Sequence, residues 1–80
     1  MTEQKKLEIM FTAGVLGTLA FKKGLQNIPA LDLDLYKYLE KIQNIEGATI
    51  LAINSWIENW NLAFKFQNIN KKIKDQYGSI

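Results

Sequence analysis

The side chains able to do chemistry in this chain are few in kind: ten lysines and eight carboxylates, with no histidine, cysteine or arginine. Without histidine and cysteine the usual metal ligands and the commonest general base are missing. Neither a thiol nucleophile nor a disulfide framework can be built. Acid–base work would fall to carboxylates, and Asp32, Asp34 and Glu58 are the ones that folding could bring together. Such groups act only when held within hydrogen-bond reach of a substrate, and nothing in their spacing recommends a site. The chain therefore reads as non-enzymatic, with no metal and no cofactor.

Lysine is the other available chemistry. Residues 1–24 carry four lysines against two glutamates, residues 25–60 two lysines against five carboxylates, and residues 61–80 four lysines against one aspartate. A lysine-rich end attracts phosphate without regard to sequence. Arginine's bidentate fork, which reads guanine and clamps phosphate, is absent, so sequence-specific DNA recognition is not expected. The longest uncharged run, residues 9–21, falls short of the roughly twenty residues that span a bilayer. It is followed by no cleavage site suited to a signal peptide. A membrane protein is not expected, and the chain reads as cytoplasmic.

The elements that must position these groups follow from punctuation and period. Eighty residues make one domain with a marginal core. Apolar residues recur at helical spacing over about 3–26, until Asn27-Ile28-Pro29-Ala30 breaks the pattern. Asp32 or Asp34 can cap a second helix over about 32–43, and Glu46-Gly47 punctuates again before a third pattern over about 48–74. No strand alternation persists. The expectation is an all-α chain, a small bundle of about three helices with a long C-terminal helix.

Three stripes stand out on these helices. On the first, Ala13, Gly17, Ala20 and Gly24 fall within a strip about 60° wide, a groove floored by bare backbone. On the third, Ile53, Trp56, Ile57, Trp60 and Phe64 form a bulky face, and the two indoles are expected to pack on the small-residue strip. Exposed, they would instead offer a platform for stacking bases. Farther along, Leu62, Phe66, Ile69 and Ile73 recur at spacings of four, three and four, turned well over 90° from the tryptophan face. One neighbour cannot bury both faces. Either the helix breaks near Asn59–Asn61 or Asn68, or the second helix folds back over the stripe, or the last turns overhang the body and meet a twin subunit or another protein.

The ordered pieces GTLAFKKG (17–24), IPALD (28–32) and SWIENWNLAF (55–64) resemble the layout of small proteins related to ribosome modulation factor, including phage-encoded relatives. Gly17, Ala20 and Gly24 match the small-residue pattern, and Trp56, Ile57 and Trp60 match the tryptophan motif, over about residues 17–64. The resemblance implies a shared helical scaffold and a ribosome- or RNA-associated regulator of translation. Lys22, Lys23, Lys65, Lys71, Lys72 and Lys74 would then be the RNA contacts. The residues themselves favour a different reading: a small helical interaction module that self-associates and acts by binding another protein through Leu62, Phe66, Ile69 and Ile73.

Overall fold

The computed structural model describes residues 1–77, and the side-chain surroundings of residues 1–74. It is all-α. Helix α1 spans Glu3–Lys22, a 3₁₀ turn spans Pro29–Leu31, α2 spans Leu33–Ile42 and α3 spans Ala48–Tyr77; no strand occurs among the described residues.

Each boundary has a local cause. The Thr2 hydroxyl accepts a hydrogen bond from the backbone N–H of Lys5 at 3.1 Å, satisfying an otherwise orphaned donor of the first turn of α1. At the other end the helix stops at Lys22, short of the expected Gln26. Gly24 adopts a left-handed φ of +86°. Leu25 N–H then bonds to the Ala20 carbonyl at 2.9 Å and Gly24 N–H to that of Phe21 at 3.0 Å, a Schellman closure. Gly24 is exposed, with nothing near the place of its missing Cβ. It ends the helix and lies outside the groove, a correction to the expectation that it forms part of the groove floor.

Asp32 sets the next boundary. One carboxylate oxygen accepts from Asp34 N–H at 3.0 Å and caps α2, while the other accepts from the Trp56 indole N–H at 2.8 Å. The cap of a surface helix is thereby tied to the centre of α3, and Asp32 is itself buried.

Helices α1 and α3 run parallel, with α2 returning between their ends. Ile9 and Ala13 pack with Ala48, Ala52 and Ile42 at one end, and Ala20 packs with Trp56 and Leu35 farther along. Leu39 touches both groups. The closest approach is at Gly17, where a Cβ would lie 2.9 Å from the Trp56 carbonyl carbon and 3.0 Å from its Cα. Only glycine admits the α3 backbone there, and dispersion attraction along the close seam offsets its helix cost.

The shape is long and thin. Its extents are 53 × 26 × 13 Å and its radius of gyration 15.1 Å, against about 12 Å for a compact chain of this length. The 30 residues of α3 extend about 45 Å. Helix α1 reaches only as far as Phe64, whose ring meets Phe21, and residues 64–74 are all exposed.

Candidate functional site

The tryptophan face and the small-residue strip meet: Trp56 packs with Ala20 of the strip, whereas at Gly17 it is the Trp56 backbone and not a ring that lies on the floor. The Trp56 side chain is buried in the group formed with Ala20 and Leu35, and its indole N–H donates to Asp32. Its ring is fully enclosed and offers no stacking platform. Trp60 is half-buried and donates to the Leu25 carbonyl at 2.9 Å. It stacks on Phe64, with ring planes 12° apart, and takes the edge of Phe21 at 5.3 Å. Ile53 and Ile57 are half-buried and Phe64 is exposed. The residues carrying the resemblance are thus bonded to one another: the Asp32 of the connector holds the first tryptophan, and the turn after Gly24 holds the second.

The second stripe has a different fate. Helix α3 is unbroken through the asparagines, and α2 does not fold over it. Leu62, Phe66, Ile69 and Ile73 stand 61%, 66%, 55% and 50% exposed. Their spacing extends backwards without interruption through Asn59, Ser55, Ala52 and Ala48, a heptad frame along the whole helix. In its first half the frame is small or polar and is covered by α1: Ala48 and Ala52 pack on Ile9 and Ala13, and the Asn59 amide lies 2.7 Å from where a Gly14 Cβ would stand. In its second half the side chains become large just where α1 ends. A heptad seam on a straight helix drifts about 20° per repeat, so the large residues also rotate out from beneath α1 toward the side away from α2.

On that side α1 adds an apolar stripe that periodicity alone did not single out. Leu7, Phe11 and Val15 are 63%, 75% and 41% exposed. With Gly14, Thr18 and Met10 they line a hollow of about 370 Å³ against Ser55, Glu58 and Asn59. A second hollow of about 560 Å³ lies where α1 ends over α3, walled by Phe21, Leu62 and Phe66. Thr18 and Asn59 line both hollows, so the two stripes form one apolar face along the molecule. Single exposed apolar residues are ordinary, whereas a contiguous apolar face is the kind of surface that suits binding. The signal for its α1 half was present in the spacing of Leu7, Phe11 and Val15. It was hidden because apolar residues lie all round α1 and sequence does not say which side α2 covers.

Charge surrounds this face unevenly. Between Asn59 and Lys74 there are four lysines, Lys65, Lys71, Lys72 and Lys74, and no carboxylate; all four are exposed, as is Lys22. Lys23 is placed elsewhere, 2.8 Å from the Asp34 carboxylate. The hydrogen bond and the charge of that carboxylate raise the lysine's pKa, and the same contact lowers that of Asp34. Asp32 and Asp34 are committed to the cap and this ion pair, and Glu58 borders the α1 hollow on the far side. Among the described residues no three acidic side chains gather as a metal site, and no helix is long and apolar enough to cross a membrane.

Fold and surface together define a small three-helix protein with an exposed hydrophobic face suited to binding. Compared with protein-family models, curated proteins and solved structures, the chain matches none.

Proposed function

We propose that this protein is a non-enzymatic interaction module that associates with itself and acts by binding another protein, its working surface being the apolar face centred on Leu62, Phe66, Ile69 and Ile73. The observation that carries this reading is the heptad frame of α3, covered by α1 in its first half and bare, with larger side chains, in its second. A seam of strict a/d spacing suits another helix, and four large apolar residues exposed in register stand ready to exclude water with it. The test is the native mass of the double variant Phe66→Lys/Ile69→Lys by sedimentation velocity. Both positions are exposed, so the helical content should persist while assembly is lost; an unchanged native mass would sink the proposal.

A second reading is favoured by the four exposed lysines on a segment without carboxylates: a ribosome- or RNA-associated regulator, as the resemblance implies. Its affinity would fall steeply with salt. Cosedimentation with ribosomal particles at low salt, reversed at high salt, is its signature. Absence from those particles at low salt excludes it.

A further inference from the structure

We infer that the apolar face is self-complementary, and that a second copy occupies it about a two-fold axis through Thr18 and Asn59, seating the α3 stripe of each copy on the α1 stripe of the other. This rests on the self-association proposed above and specifies how it is built.

Register dictates the pairing. Thr18 and Asn59 line both hollows and mark their junction; with Gly17 on the Trp56 backbone they lie within about 3 Å of one level, and the midpoint falls between them. Because α1 and α3 run parallel, going back along α1 leads toward one end of the molecule and going forward along α3 leads toward the other. From Thr18, Val15, Phe11 and Leu7 lie three, seven and eleven residues back; from Asn59, Leu62 and Phe66 lie three and seven residues forward, with Ile69 and Ile73 at ten and fourteen. At 1.5 Å per residue Val15, Phe11 and Leu7 lie about 4.5, 10.5 and 16.5 Å from Thr18, and Leu62 and Phe66 about 4.5 and 10.5 Å from Asn59, with Ile69 and Ile73 at about 15 and 21 Å. A half-turn about that midpoint therefore sets Leu62 on the partner's Val15, Phe66 on the partner's Phe11, and Ile69 with Ile73 astride the partner's Leu7. Such isologous pairing is the commonest arrangement of homo-oligomers.

Space and area agree with this pairing. The hollow between α1 and α3, about 370 Å³ and walled by Leu7, Phe11 and Val15, has the volume to take a phenyl ring and its neighbours from the facing stripe. The seven large residues of the face, 41–75% exposed, present about 700 Å² together if a side chain of their size exposes roughly 150–200 Å² in full. A standard specific interface takes about 800 Å² from each partner. Pairing overhang with overhang instead would leave Leu7, Phe11 and Val15 bare. An antiparallel pair of that kind would also set Lys65 and Lys72, which flank the stripe at equivalent heptad positions, against each other.

The test is charge exchange across the expected contact, using the full chain and sedimentation velocity with native mass spectrometry. Phe11→Glu and Phe66→Lys each spoil both symmetric contacts of a homodimer, and each should raise the dimer Kd at least about a hundredfold. Mixed in equal amounts they should form a heterodimer, because one contact becomes Glu–Lys and the other returns to Phe–Phe. Circular dichroism of each variant controls for folding. A wild type that stays monomeric at every concentration overturns both this arrangement and the self-association proposed above. A dimer lost with Phe66→Lys but kept with Phe11→Glu overturns this arrangement alone and indicates overhang pairing. Loss in both variants without recovery on mixing overturns it as well.

Discussion

Replacing Gly17 by alanine tests the close approach of the α3 backbone to α1. Alanine favours a helix interior by about 1 kcal/mol over glycine, so in an open position the substitution would stabilise α1. At Gly17 the new methyl would stand 2.9 Å from the carbonyl carbon of Trp56 and 3.0 Å from its Cα, with the carbonyl oxygen nearer still. Backbone of a helix cannot swing aside, so α1 and α3 must separate along a seam of alanines that has no longer side chains to refill the gap. Overpacking of this kind costs typically 1–3 kcal/mol, and a separation that loosens the seam on both sides belongs at the upper end. The net expectation is destabilisation by about 1–2 kcal/mol, or a fall in Tm of roughly 4–16 °C for a domain of this size. Urea denaturation followed by tryptophan fluorescence reads it directly, since Trp56 is fully buried. Two companion variants sharpen the test. Gly14→Ala meets only the side-chain amide of Asn59, which must give up its 2.8 Å hydrogen bond to the Ser55 carbonyl to move; that loss offsets the helix gain, and the variant should be near neutral. Gly24→Ala meets nothing within 4 Å but must hold a φ of +86°, a left-handed strain of about 1–2 kcal/mol. A Gly17→Ala protein as stable as the wild type, or more so, would refute the close parallel approach of α1 and α3.

Asp32→Ala should remove the α2 cap, at about 1 kcal/mol, and leave the Trp56 indole N–H buried without a partner, at about 1–3 kcal/mol. Asp32→Asn keeps only one of the two acceptors and sets its NH2 against the other N–H, so it should also be clearly destabilised, and chemical denaturation of both variants checks this. The Lys23–Asp34 pair carries a pH signature whose sign follows from its shifts. Because Asp34 is lowered, its contribution to stability is present above the ordinary carboxylate value of 3.8 and disappears as pH falls through the lowered one. Because Lys23 is raised, the contribution is fully present below the ordinary lysine value of 10.5 and disappears as pH rises through the raised one. Asp34→Asn should therefore flatten the acid limb of a Tm-against-pH curve slightly and converge with the wild type at the lowest pH; the effect is small because both groups are half exposed and screened by salt. If the two curves run parallel throughout, the pair contributes nothing in solution.

Much of the architecture is written in short-range chemistry. Gly24 closes one helix, Asp32 can start the next through its own carboxylate, and the heptad spacing of Leu62, Phe66, Ile69 and Ile73 marks an apolar seam; each depends only on residues within a turn or two. The glycines of α1 signalled a close approach for the same reason. What they would meet was a tertiary matter. Gly17 receives the backbone of Trp56 rather than its ring, Gly14 receives Asn59, and Gly24 receives nothing because the chain needed its left-handed φ to leave the helix. Asp32 could be read as a cap, but its bond to an indole twenty-four residues away could not. The exposure of Leu7, Phe11 and Val15 was likewise decided only when α2 took the opposite side. Sequence determined that three helices form and which apolar stripes they carry, because capping and periodicity act between near neighbours along the chain. Which stripe is buried inside the molecule and which is left exposed was decided by the parallel seating of α1 on α3, a choice made by long-range steric fit that no local pattern encodes.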